Sequence, residues 1–205
     1  MELYFARHGE STANLAHVFS NRELDHPLTE KGRAQAVELA QKLTTEEISL
    51  LYTSPVPRAR ETAALIGERL GIQPEVNPAL REFDVGEFEG RADDDTWRTF
   101  GELYDRWLTQ GDLEARIPGG ENYLEIRARF VPFIDELVEQ YHRTDTRILL
   151  ISHGGIYRLM LPLVLGNVPQ SYADTHMLGN TAYVKAAWSG QGLMALEWSG
   201  QSLQG

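Results

Sequence analysis

Four short clusters in this chain carry residue types suited to handling a small anion. The first is Arg7-His8-Gly9-Glu10-Ser11, followed closely by Asn14. Arg58 stands in Pro57-Arg58-Ala59-Arg60, Glu82 in Arg81-Glu82-Phe83-Asp84, and His153 in Ser152-His153-Gly154-Gly155. Arginine's planar fork matches phosphate or carboxylate oxygens. Imidazole can serve as nucleophile, base or metal ligand. Glycine permits close approach of the backbone to a ligand. Each cluster alone is weak, because Arg-His-Gly arises by chance. Their meaning depends on whether the fold brings them together.

The elements around them supply a way to do so. Glu2-Leu3-Tyr4-Phe5 reads as a strand that stops in Arg7-His8-Gly9, and the apolar run 147–152 stops in His153-Gly154-Gly155. A strand over 48–53 leads into a helix that starts at Pro57, a residue suited to a first helical turn, and carries Arg58. Thr29 is a candidate N-cap for a helix to Leu43, and Asn122 with Glu125 forms a candidate capping box for the longest helix. Further helices are predicted over 95–108 and 156–165. Short strands follow near 73–76, 182–188 and 193–198, with a turn at 189–192. Segments 80–91 and 110–120 read as long loops of the kind that often carry function. The alternation of strand and helix predicts an α/β fold, a three-layer α/β/α sandwich with a largely parallel central sheet. Strand ends in such a sheet share one edge, where ligands bind. Arg7, His8, Arg58 and His153 would then converge, with helix N-termini adding backbone donors for a phosphoryl group.

Bulk properties narrow the partners. The chain has 205 residues, a net charge of -11, 42% hydrophobic and 24% charged residues, and no cysteine. We expect a single domain over 1–205 with a cap-like insert around 91–121. Lack of a basic stretch argues against nucleic acid. No apolar run approaches the roughly 18 residues needed to span a bilayer, which argues against a membrane partner. Absence of cysteine excludes disulfides and thiolate chemistry and fits a cytoplasmic location, as does an N-terminus that reads as strand rather than signal peptide. His17, His26, His142 and His176 read as surface or structural. Asp93-Asp94-Asp95 reads as a solvated helix start, and no metal is expected.

Taken in order, the motifs resemble the histidine phosphatase superfamily, the phosphoglycerate mutase-like fold. Arg7-His8-Gly9-Glu10-Ser11 with Asn14 looks like its signature. Thr53-Ser54-Pro55 with Arg58-Ala59-Arg60-Glu61-Thr62-Ala63, Arg81-Glu82 with Gly86-Glu87-Phe88-Glu89-Gly90, Pro118-Gly119-Gly120-Glu121 and Ser152-His153-Gly154-Gly155 complete the series. The resemblance implies that His8 is a nucleophile that becomes phosphohistidine. It implies that Arg7, Arg58 and His153 surround the phosphoryl oxygens, and that Asn14 and the Gly154 N–H add hydrogen bonds. Glu82 would protonate the leaving oxygen and then activate water. That role needs a carboxyl held above its usual pKa of about 4.3, by burial or by neighbouring acids such as Asp84 and Glu87. Asp84, Glu87 and Glu89 crowd the same loop, so another of them could be the proton donor, and Asn14 could be only a helix cap. The resemblance implies neither metal nor cofactor.

The reaction implied is hydrolysis of a small phosphorylated metabolite. Gly-x-Phe-Glu-Gly and Pro-Gly-Gly-Glu resemble the broad-specificity and α-ribazole phosphatases. A phosphoglycerate mutase is the alternative, but the segment 90–97 is acidic where a mutase would need cations. An inactive member that binds a phospholigand is a further alternative. Phe19 to Pro27 departs from the family pattern. Within it Ser20 is a candidate contact, and Arg22 could hold an acidic leaving group or be simply exposed. The late hairpin offers an edge on which a homodimer could form.

Overall fold

The structure is a computed structural model and describes residues 1–22, 24 and 26–203. Glu23 and Asp25 of the 19–27 loop lie outside the described residues, as do the last two residues of the chain. Seven strands form one mixed sheet: β1 (Glu2–Arg7), β2 (Leu50–Thr53), β3 (Glu75–Val76), β4 (Arg147–Ser152), β5 (Tyr183–Trp188), β6 (Leu193–Trp198) and β7 (Gln201–Ser202). Their spatial order is β3-β2-β4-β1-β5-β6-β7. The first four are parallel, whereas β5, β6 and β7 add antiparallel. The expected hairpin is present, with Ser189 N–H donating to the Gly192 carbonyl at 3.0 Å. Its outer edge is not open along its whole length, because β7 pairs with Glu197 and Trp198.

Among the described residues, seven α-helices accompany the sheet: α1 (Thr12–Ala16), α2 (Glu30–Leu43), α3 (Pro57–Leu70), α4 (Asp94–Leu108), α5 (Tyr123–Tyr141), α6 (Gly154–Val164) and α7 (Gln170–Thr175). Strands β1 and β4 are buried on both faces, so they read as apolar runs without alternation. Their alternate side chains separate the core in two. Tyr4, Ala6, Leu149 and Ile151 pack with α2 and α3, whereas Leu3, Phe5, Ile148 and Leu150 pack with α5 and α6. This is the three-layer arrangement expected. Thr29 caps α2 by accepting from Gly32 N–H at 2.9 Å. Asn122 and Glu125 make the expected reciprocal box. Asp93 caps α4, accepting from Thr96 N–H at 3.0 Å, which explains the acidic run there.

Register matters most at the sheet's edge. Arg7 stands opposite Ser152 across the β1–β4 pair, and His8 N–H donates to the Ser152 carbonyl at 3.0 Å. His8 and His153 therefore leave the sheet side by side. Thr53 pairs with Ile151, which brings β2 and the start of α3 to the same edge. Neither α7 nor β7, each six residues or fewer, carries a separate signal in the pattern of residues.

Candidate active site

The strand ends meet in a cavity of about 460 Å³ that Arg7, His8, Asn14, Ser20, Arg58, Glu82 and Gly154 all line. His8 is 2% exposed. Its Nδ1 lies 2.7 Å from the Gly9 carbonyl, and Arg58 Nε donates to its Nε2 at 2.9 Å. A guanidinium has no acceptor, so Nε2 must hold a lone pair and the proton must sit on Nδ1. Electrostatics agree: burial first, then Arg58 and Arg7, lower the His8 pKa well below its ordinary value. The result is a neutral imidazole whose unprotonated Nε2 is held by Arg58, in a residue that lines the cavity.

His153 takes the opposite tautomer. Arg58 Nη2 donates to its Nδ1 at 3.1 Å, and its Nε2–H donates to Ser54 Oγ at 2.7 Å. Burial, with Arg58 and His8 adding to it, lowers its pKa well below the ordinary value. The two rings stand 5.0 Å apart, centroid to centroid. Arg58 thus links both histidines and the Ser20 carbonyl. Burial pulls its pKa down to about 10, with Glu82 opposing, so it stays charged at neutral pH.

Two buried polar atoms lack any partner among the described residues: Arg7 Nε and Ser20 Oγ. Both residues line the same cavity. Unsatisfied buried donors are costly and rare in folded proteins, so their meeting here marks a place made for an oxygen-rich ligand. Arg7 is held in position by its Nη1, which donates to the Leu178 carbonyl at 2.8 Å. Asn14 closes the α1 capping box, and its Oδ1 also accepts from Asn180 Nδ2 at 3.3 Å. Capping and facing the cavity therefore coexist, because the carboxamide oxygen is used inward and the NH₂ remains to offer.

Glu82 is 8% exposed and sits at the start of α6. Its carboxylate accepts from Gly155 N–H at 3.0 Å and Ile156 N–H at 2.8 Å, but not from Gly154. Burial raises its pKa, whereas Arg58 and the backbone donors act to lower it. Of the two causes expected from the sequence, burial acts and neighbouring acids do not. Asp84 turns away to Arg22 and to Gly86 N–H, and Glu89 accepts from the backbone of Asn21 and Arg22. Glu87 is exposed. Of these four carboxylates, Glu82 is the one that lines the cavity.

Two other expectations change. Arg22 does not reach the cavity. Its Nε bonds Asp84 at 3.0 Å and its Nη2 bonds the Gly119 carbonyl at 3.0 Å, tying three loops together. Gly9 is small for packing rather than for ligand approach, since a Cβ there would lie 2.5 Å from the Gly32 carbonyl oxygen of α2. Gly155 has the more direct tie to the site, because a Cβ would stand 2.8 Å from Glu82 Oε2.

The structure also adds residues that sequence reasoning passed over. Ser54 fixes the His153 tautomer, and Thr62 Oγ1 accepts from Gly9 N–H at 3.1 Å, steadying the strand end that carries His8. Asn180 donates to the His8 carbonyl at 3.1 Å. Hydroxyls and amides in these roles have no spacing rule that would reveal them. From α4 come Trp97, Phe100 and Tyr104, which face the cavity opposite the histidines. Aromatic side chains at helical spacing read equally well as core packing, so only the helix itself was expected there.

Comparison with known proteins agrees with this geometry. A family model described as the histidine phosphatase superfamily (branch 1) matches residues 3–200. A protein named "Probable phosphoglycerate mutase GpmB" from Cronobacter sakazakii is 30% identical over 198 residues, covering 94% of this chain and 89% of its own. A mycobacterial glucosyl-3-phosphoglycerate phosphatase, solved in complex with VO3, matches with a TM-score of 0.80 and 26% identity, over 97% of this chain and 98% of its own. The α-ribazole phosphatase of Shigella flexneri matches with a TM-score of 0.79 and 25% identity over 100% of both chains.

Proposed function

The chain belongs to the histidine phosphatase superfamily, and from that premise we propose that it hydrolyses a small phosphomonoester through a phosphohistidine at His8. One observation carries the reading: His8, whose unprotonated Nε2 is held by Arg58, lines a cavity shared with Arg7 and Ser20, whose Nε and Oγ have no partner among the described residues.

The chemistry follows from the groups. The phosphoryl oxygens take the donors of Arg7, Arg58, Ser20 and Asn14, and the Gly154 N–H adds to them. Binding a dianion beside His153 favours its protonated form, so that Nδ1 becomes a further donor. His8 Nε2 attacks phosphorus as the bond to the leaving oxygen breaks, and Glu82 gives its proton to that oxygen. Charge spreading over the equatorial oxygens is offset by fixed cations in a water-poor site. In the second half Glu82, now a carboxylate, takes a proton from water. The new P–O bond forms as the N–P bond breaks, and His8 and Glu82 return to their starting states. Arg58 leaves His8 Nε2 for the phosphoryl group at the start of each cycle, so the free-state hydrogen bond holds the nucleophile in register without blocking it. We read 91–121, with α4, as the segment that covers the site, and the reaction as needing no metal.

Hydrolysis is favoured over mutase transfer by the wall facing the histidines. A mutase must hold the carboxylate and second phosphate of its intermediate. Here that wall carries Trp97, Phe100 and Tyr104, and Arg158 is already paired with Asp174 at 2.8 Å. The test is phosphate release from p-nitrophenyl phosphate in the presence of chelator, together with labelling of the protein quenched in alkaline detergent, which preserves a P–N bond. A base-stable, acid-labile phosphoenzyme is expected in wild type and absent in His8→Ala. Equal turnover by the two would refute the mechanism. Transfer between 3- and 2-phosphoglycerate faster than hydrolysis would favour the mutase.

A further inference from the structure

The cavity has two unlike ends. Polar groups gather around His8, whereas the far wall is aromatic. Phe19 stacks on Trp97 with centroids 4.0 Å apart and planes 27° apart. Phe100 lies 4.8 Å from Phe19 and stacks against Phe83 at 5.7 Å and 4°. Trp97 is anchored rather than loose, because its indole N–H donates to the His17 carbonyl at 2.9 Å. With that donor used, the ring offers only apolar surface, and it remains 38% exposed. Met177, 59% exposed, lines the same cavity. The cation on this side, Arg158, lies 4.5 Å over the Tyr104 ring and is paired with Asp174, so its charge is already offset.

A polar or anionic leaving group would gain little from such a wall and would lose its hydration there. Flat rings gain area and quadrupole contacts from neighbouring aromatic faces. Resting on the phosphomonoesterase reading, we infer that the leaving group is a flat, uncharged aromatic alcohol, and that Trp97 and Phe100 set this preference. The reaction is unchanged: the P–O bond breaks, the phosphoryl group passes to His8 Nε2, and the aromatic alcohol departs with the Glu82 proton.

The test compares esters whose leaving alcohols have similar acidity, so that chemistry does not mask recognition. Steady-state kcat/KM is measured for 2-naphthylmethyl phosphate, ethyl phosphate and 3-phosphoglycerate, alongside phosphoenzyme formation from each. We expect the naphthylmethyl ester to exceed the other two by about tenfold or more, the scale on which apolar contacts discriminate. Trp97→Ala should reduce that ratio to about threefold or less, chiefly through KM, and Trp97→Phe should restore most of it. A ratio near one in wild type, a ratio untouched by Trp97→Ala, or preference for 3-phosphoglycerate would each overturn the inference while leaving the hydrolase standing. Failure of every ester to label His8 would overturn both.

Discussion

The two ends of the cavity are built on different principles. At the phosphoryl end the two histidines and the acid are buried and tied: His8 to Gly9, His153 to Ser54, Glu82 to the first amides of α6. The histidines stand on strand ends fixed by the β1–β4 register, and Glu82 reaches in from the loop after Leu80. At the leaving-group end, side chains from α4 and the loops near residues 19 and 177 meet at a half-open mouth. The first end must place a nucleophile and its charge partners within fractions of an ångström, which needs the rigid sheet edge. The second needs only shape and polarity, which a helix face and loops can supply and vary.

The sharpest way to break this contrast is to remove the nucleophile. His8→Ala should lower kcat/KM by about 10³-fold or more and abolish phosphoenzyme, with labelling quenched in alkaline detergent as the check. Retained labelling at another residue would mean that the buried end is not where bond-making occurs. Next comes the proton donor. Glu82→Gln keeps the shape but carries no acidic proton, so a loss of about 10²- to 10⁴-fold is expected. The pH profile gives the sign. Burial raises the Glu82 pKa and lowers that of His8. Wild-type kcat/KM should therefore fall as pH rises through the raised Glu82 value, and fall on the acid side only below the depressed His8 value. The alkaline limb should vanish in Glu82→Gln. On an ester with an acidic phenol, which leaves unaided, the variant should lose much less.

The same contrast explains what could be read from the sequence. Arg7, His8, Arg58 and His153 stood out because short motifs at predicted strand and helix boundaries carry chemistry in few residues. The sandwich was legible because β1 and β4 are doubly buried and the helix caps follow local rules. The partners that fix the tautomers, Ser54 and the Gly9 carbonyl, were not legible, since a hydroxyl or a carbonyl has no periodicity. The ties that Arg22 makes were not legible for the same reason: its partners lie 62 and 97 residues away in the chain. Trp97, Phe100 and Tyr104 formed a visible stripe, but only the packing shows that it faces a cavity and not a closed core.

A smaller effect separates the ends by stability. His8 and His153 are both held neutral. Below the ordinary histidine pKa of about 6.5 the unfolded chain binds protons that the folded one refuses, so stability rises with pH there and is lost on acidification. At pH 5 each such histidine costs up to about 2 kcal/mol. The Tm of wild type should drop between pH 7 and pH 5, and His8→Asn should shrink that drop. Trp97→Ala should leave most of it in place, because both buried histidines are retained. An equal shrinkage in both variants would argue that acid sensitivity lies elsewhere.

The smallest expected effect concerns the loop connecting the two ends. Arg22 is paired with Asp84, yet its side chain is 47% exposed. Solvent screening limits such a pair to about 1 kcal/mol or less, so Arg22→Ala should lower Tm only slightly, as read by thermal melting. Its kinetic signature is more informative. If Arg22 serves only to tie the 19–22 segment to the Asp84 and Gly119 loops, the variant should change KM for neutral and acidic monoesters by the same small factor. The cause would be looser placement of Ser20, next to the backbone that Glu89 holds. A selective rise in KM for 3-phosphoglycerate over ethyl phosphate would instead mean that Arg22 swings to meet an acidic leaving group. The leaving-group end would then carry a cation that the free state keeps engaged with Asp84, and its aromatic wall would no longer be the sole source of its preference.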